Sequence, residues 1–221
     1  MQLLYSGLPH FIQVVGMCEK PALTLTELHP FGSLANLSDS LRRNNIDDDV
    51  RLRLRLCRDW ANVLRVLHGE GPMKERRLMC DSNSVSKLLS QVLLSDDLGA
   101  VLTDMDALPE VGPGGVVCGG SKGPAPDGEL LAPEQRWPFA DLSYVPALMP
   151  GYTEKADIWK ASIMCEQLLG DQNLPGAAWA KYRLHGLHRR CRLQPPTLRP
   201  CASQLRAEYD AALAELNRDE L

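Results

Sequence analysis

The chain has 221 residues, a net charge of −4, 44% hydrophobic residues and 5% aromatics, enough to bury a substantial core built mainly on leucine, valine and alanine. That charge, with no basic block long enough to track a phosphate backbone, argues against nucleic acid as a partner. No apolar run approaches the roughly 20 residues that span a bilayer. Met1-Gln-Leu-Leu-Tyr5 lacks the basic lead and cleavage site of a signal peptide.

In chain order, Phe11-Ile-Gln-Val-Val15 and Ala22-Leu-Thr-Leu-Thr26 predict two strands joined by a turn at Cys18-Glu-Lys-Pro21. His29-Pro-Phe-Gly-Ser33 breaks the pattern, and a short helix around 34–41 is expected after it. Asn36-Leu-Ser38 is a glycosylation sequon, meaningful only in a lumenal chain. Arg51-Leu-Arg-Leu-Arg-Leu56 alternates as a strand does. A wider window puts Val50, Leu54, Cys57, Ala61, Leu64 and His68 on one helical face, and Asp47, Asp48 and Asp49 suit a helix N-terminus. The expectation is a helix over 48–68, stopped by Gly69-Glu-Gly-Pro72.

Met79-Cys-Asp-Ser-Asn83 follows, then Gln91-Val-Leu-Leu94 and a strand over 99–103 that delivers Asp104. In Val101-Leu-Thr-Asp-Met-Asp-Ala-Leu-Pro-Glu110, Asp104 and Asp106 stand one residue apart. Carboxylates this close need a cation, water or donor to offset them. Alone, the motif reads as a strand entering a solvated turn. Residues 111–128 are rich in Gly and Pro and read as loop; Gly119-Gly-Ser-Lys-Gly123 lacks the G-x-x-x-x-G-K-[ST] order and is not a phosphate loop. Helices are expected over about 154–169, 177–188 and 202–217.

The seven cysteines contain no C-x-x-C, which argues against a zinc ribbon or thioredoxin site. His185, His188 and Cys191 recur every three residues and could hold a metal from one helix face. No fourth ligand is evident, so partly buried helix side chains are the plainer reading. Arg218-Asp-Glu-Leu221 resembles an endoplasmic-reticulum retrieval signal, and an acidic helix tail is its plainer reading.

Taken together, the motifs resemble the C-terminal lobe of the protein kinases. Leu131-Ala-Pro-Glu-Gln135 matches A-P-E, Asp157-Ile-Trp159 matches the central-helix D-x-W, and Pro196-Thr-Leu-Arg-Pro200 matches P-x-x-R-P. Asp81 falls at the catalytic-loop aspartate and Asp104 at the metal-binding aspartate of D-F-G. Leu25-Thr-Glu-Leu-His-Pro-Phe-Gly-Ser-Leu34, Met79-Cys-Asp-Ser-Asn83, Asp104-Met-Asp-Ala-Leu-Pro109, Ala132-Pro-Glu-Gln-Arg-Trp-Pro138 and Tyr152-Thr-Glu-Lys-Ala-Asp-Ile-Trp-Lys160 are similar, more specifically, to the protein O-mannose kinase family.

The resemblance implies an α+β, protein-kinase-like fold that is mostly helical C-lobe. Residues 1–32 would be residual N-lobe strands and hinge, and 33–221 the C-lobe. It implies ATP and Mg2+ as cofactors, Asp81 as base, and Asp104 as metal ligand with Asn83 beside it, since the usual asparagine position holds Ser86. Glu27, Leu28 and His29 would form the hinge, and Glu134, Arg199 and Asp157 would be structural. Asp106 would take a donor or a second metal. The implied acceptor is the 6-hydroxyl of mannose in an O-mannosyl trisaccharide of dystroglycan, in the endoplasmic-reticulum lumen. A membrane anchor is expected only if a further N-terminal segment supplies it.

No glycine-rich loop, strand lysine or partner helix glutamate precedes the first strands, and residues 1–10 resemble the tail of that helix. The expectation is therefore a truncated chain, inactive by itself. A pseudokinase or non-catalytic binding module is the alternative.

Overall fold

The computed structural model describes residues 2–119, 130–170 and 173–218. Residues 120–129, with most of Gly119-Gly-Ser-Lys-Gly123, and the terminal residues 219–221 lie outside the described residues.

The long helix α3 (Val50–Leu67) forms because Asp49 caps it, accepting a 2.7 Å hydrogen bond from the Leu52 N–H. The face read from the sequence is buried, and so are Leu52, Leu56, Trp60, Val63 and Leu67. The helix is therefore enclosed on most sides. Its alternating stretch misleads because Arg53 also points inward, bonded to Asp48, the Leu168 carbonyl and Ser38. Around it pack α5 (Lys155–Leu168), α6 (Ala177–Cys191) and α7 (Ala202–Arg218). A disulfide between Cys57 and Cys165 ties α3 to α5. The N-terminal turn α1 (Gln2–Tyr5) adds Tyr5 to the same core and the short α2 (Leu37–Arg43) adds Leu37 and Leu41, and α2 follows a 3-10 turn at Leu34–Asn36.

Strands β1 (Val14–Cys18) and β2 (Leu23–Thr26) pair antiparallel. The first strand starts three residues later than expected because Phe11 and Ile12 belong to the core. The Ile12 N–H donates to the Leu102 carbonyl and the Leu102 N–H to that of His10, so this segment runs parallel to the next sheet instead. That sheet is β3 (Val92–Leu94) antiparallel to β4 (Ala100–Leu102), preceded by the short helix α4 (Val85–Ser90). The architecture is α+β: a helical body with the β3–β4 hairpin against α3, and a second, largely exposed β1–β2 hairpin. Tyr5, Phe11 and Ile12 share the main core with the helices, whereas Val15, Met17, Leu23 and Leu25 on the first hairpin are exposed. No described helix is long and apolar enough to cross a membrane.

Candidate active site

A second apolar cluster, including Leu78, Val111, Cys118, Ala132, Met149 and Tyr152, underlies the loop that carries Asp81. The Leu78 N–H donates to the Pro109 carbonyl and the Cys80 N–H to that of Ala107. These bonds set the Asp81 loop alongside the segment that follows Asp104. From the helical side, the buried Asp157 carboxylate accepts from the Met79 N–H at 3.0 Å and lies 3.4 Å from His68 Nε2. Buried Lys160 donates to the Met79 carbonyl at 3.1 Å and to Ser82 Oγ at 2.7 Å. Burial pushes the Lys160 ammonium below its usual range, and the Asp157 carboxylate, 3.7 Å away, works against that. The loop is thus clamped through its own backbone, leaving the Asp81 side chain at the surface.

Asp81 and Asp104 share two donors. Lys87 Nζ lies 2.9 Å from Asp81 Oδ2 and 3.6 Å from Asp104 Oδ2. Its hydrogen bond to Asp81 holds the ammonium above its ordinary pKa. Gln91 Nε2 donates to the same two oxygens, at 3.4 and 3.1 Å. Gln91 is buried, and its Oε1 has no hydrogen-bond partner among the described residues. An orphaned acceptor costs about 1–3 kcal/mol, so the amide is held with its NH2 toward the carboxylates at a cost to stability. The compensation for Asp104 is therefore one ammonium and one amide. Asp106 is exposed and meets Asp104 through its backbone N–H, 3.4 Å from Oδ1.

Among the described residues no three His, Cys, Asp or Glu side chains gather as a free-standing metal site. Two carboxylates converging on one cation do fit magnesium carried by a nucleotide, where phosphates and waters complete the coordination. Asp104 and Asp81 would face that ion. Asn83 sits on the cavity wall beside Asp81.

That cavity, of about 220 Å³, is lined by Asp81, Asn83, Leu131, Gln135, Tyr152 and the disulfide-bonded pair Cys80–Cys118. Tyr152 OH accepts from the Cys118 N–H at 2.7 Å, and Val116 and Tyr152 exchange backbone hydrogen bonds. Gly151 permits this approach: a Cβ there would fall 2.1 Å from the Gly114 carbonyl oxygen.

The remaining site residues lie apart from the carboxylates. Glu27 and His29 sit 3.2 Å from each other and line a separate cleft with Arg58 and Asp59, while Leu28 is exposed. Arg199 and Glu134 pair through both guanidinium Nη atoms. His188 and Cys191 are buried, His185 is exposed, and His188 contacts Glu166 and Tyr209 rather than its helix neighbours. Sequence reasoning missed Lys87, Gln91 and Lys160 as site residues. Only the position of Lys87, six residues after Asp81 in the first turn of α4, carried any signal.

No family model matches the chain. It is 36% identical to a protein O-mannose kinase of Macaca fascicularis over 213 residues, 94% of this chain and 59% of that protein. The corresponding protein of Gallus gallus is 36% identical over 216 residues, 95% of this chain and 59% of its own length. A probable serine/threonine-protein kinase of Dictyostelium discoideum is 26% identical over 234 residues, 96% of this chain and 16% of the relative. The chain thus stands among homologues of kinases. Specifically, it is a homologue of the protein O-mannose kinases, and it spans about 59% of the length of those relatives.

Proposed function

We propose that the protein is a carbohydrate kinase that transfers the γ-phosphoryl group of ATP to the 6-hydroxyl of mannose in an O-mannosyl glycan of dystroglycan, with the helical body acting as a kinase-like C-lobe. The observation that carries this reading is the convergence of Asp81 and Asp104 on shared donors beside a small cavity. At about 220 Å³ the cavity is smaller than the roughly 300–1,000 Å³ pockets of drug-sized ligands, which suits one sugar ring. Magnesium bound to ATP supplies positive charge across the phosphates. Asp104 would hold that ion. Asp81 accepts the hydroxyl proton and aims the oxygen, while Gln91 keeps both carboxylates on one side and Tyr152 and Gln135 shape the acceptor wall. The disulfides Cys57–Cys165 and Cys80–Cys118 support a lumenal setting, where oxidising conditions preserve them.

Among the described residues no glycine-rich loop and no strand lysine paired to a helix glutamate stand by the carboxylates, so we do not expect transfer by residues 1–221 alone. The test is phosphorylation of the mannose-containing trisaccharide by the protein expressed from its complete transcript, with residues 1–221 run beside it. Asp81→Asn should cut transfer by roughly 10²–10⁴-fold with the melting temperature preserved. Normal turnover in that variant removes Asp81 from the chemistry. No turnover in the unsubstituted protein, with glycan binding intact, makes it a binding module.

A further inference from the structure

We propose that Asn36 carries an N-linked oligosaccharide whose first sugar seats in the cavity between the start of α2, α4 and the end of α5. This rests on the lumenal setting of the function given above, and goes beyond it. Asn36-Leu-Ser38 is the one N-x-[ST] sequence in the 221 residues. Such a sequence can hold a bulky glycan only where its asparagine ends at the surface. Asn36 is exposed at the junction of the 3-10 turn and α2. Its side chain makes no capping bond to α2, so the amide is not spent on the fold.

The surroundings fit a sugar. Asn36 stands on the rim of two open cavities. One, of about 250 Å³, has Leu37 and Leu89 in its wall together with exposed Ser38, Asp39 and Gln167. The other, of about 330 Å³, is lined by Asp39, Arg42 and Arg43. A pyranose ring has an apolar C–H face and a polar edge, and the first cavity offers partners for both. The second gives the remaining sugars a hydrated, charged way out.

Ser38 sets the order of events. The transferase reads the Ser38 hydroxyl, yet in the folded chain that oxygen accepts from Arg53 Nη2 at 2.7 Å. Arg53 is itself buried against Asp48 and the Leu168 carbonyl. Transfer therefore precedes the docking of α3 on this segment. The Asn36 amide nitrogen attacks C1 of a lipid-pyrophosphate-linked oligosaccharide. The N–C1 bond forms and the C1–O bond breaks; the pyrophosphate leaves with the electron pair, and the amide proton passes to a base of the transferase. Folding then gives Ser38 to Arg53 and leaves the glycan outside.

Microsomes from cells making the protein of the complete transcript are treated with protease. The protected protein is read by mass spectrometry after enzymatic glycan release in heavy-oxygen water, which turns a glycosylated asparagine into labelled aspartate. Most copies of Asn36 should carry the label. Asn36→Gln should lose one glycan step on gels, and Ser38→Thr, which keeps a hydroxyl for both transferase and Arg53, should retain it. Protected protein with unmodified Asn36 overturns the proposal and leaves the lumenal reading intact; protein that the protease destroys overturns both. Melting temperature reads the seat. Trimming the glycan to its first sugar should leave the melting temperature unchanged, whereas Asn36→Gln should melt about 2–4 °C lower, the scale of a small packing contact in a chain of this size. A one-sugar form that melts with Asn36→Gln overturns the seat.

Discussion

Arg199 grips Glu134 across 65 residues, with hydrogen bonds of 2.5 and 2.8 Å from its two Nη atoms to the two carboxylate oxygens. Its other donors reach the Leu193 and Lys155 carbonyls, and its plane lies 5.1 Å from the centre of the Trp159 ring. The guanidinium is fully enclosed, and its Nε and both Nη atoms are hydrogen-bonded, so it anchors the segment after Leu131 to the helical body. Losing either partner leaves a buried charge unmatched. Glu134→Ala or Arg199→Ala should each cost about 3–5 kcal/mol in urea unfolding. The double variant should cost clearly less than their sum; additive losses would mean the two side chains act separately.

Lys160 and Asp157 make a second buried pair, and here the consequence reaches the site. Lys160→Met strands the Asp157 carboxylate and releases the Met79 carbonyl and Ser82 hydroxyl it holds. The expected loss is again about 3–5 kcal/mol. Adding Asp157→Asn should recover part of the stability. It should not recover the Asp81 geometry, because the Met79 N–H loses its ionised acceptor too. Unfolding curves and transfer rates measured on both variants separate the two effects.

The disulfides differ in what they enclose. Cys57–Cys165 closes 108 residues and Cys80–Cys118 closes 38. Chain entropy gives the longer loop an advantage of about 1 kcal/mol within a total of roughly 2–5 kcal/mol. Paired alanine substitutions should therefore destabilise more at Cys57 and Cys165. Those at Cys80 and Cys118 should instead raise the acceptor KM, since that disulfide forms a wall of the cavity beside Asp81. Steady-state kinetics with varied glycan, then with varied ATP, distinguishes wall damage from general loosening.

How far the sequence went follows from what kind of information it carries. Helix α3 was legible because its apolar spacing and the Asp49 cap are local properties, as were the expected spans near α5, α6 and α7. The first strand was misplaced because Phe11 looks equally β-forming whichever sheet it joins, and only its bonding with Leu102 decides. Asp81 and Asp104 were visible through a family pattern that spans distant segments. Gln91 and Lys160 were not, since a lone amide or lysine has no periodicity and acts only once the chain is folded. Cysteine pairing was hidden for the same reason: seven thiols allow many connectivities, and packing selects two.

Glu166 gives the fold an acid-sensitive joint. It sits on α5 and receives hydrogen bonds from His188 on α6 and from Arg192 just beyond it, while His188 also meets Tyr209 on α7. Burial pushes its carboxyl upward, but the His188 and Arg192 hydrogen bonds overcome this and hold it at about 2, against an ordinary 4.5. The folded state therefore binds its proton later than the unfolded chain does. Its contribution to stability is complete above 4.5 and is lost as the pH falls from 4.5 to about 2. Glu166 is 42% exposed, so salt screens part of the effect. Melting temperatures of the original chain and Glu166→Gln, measured at low ionic strength from neutral pH downward, should differ most near neutrality and converge through that window. A gap that stays constant with pH would show that Glu166 contributes by packing rather than by charge.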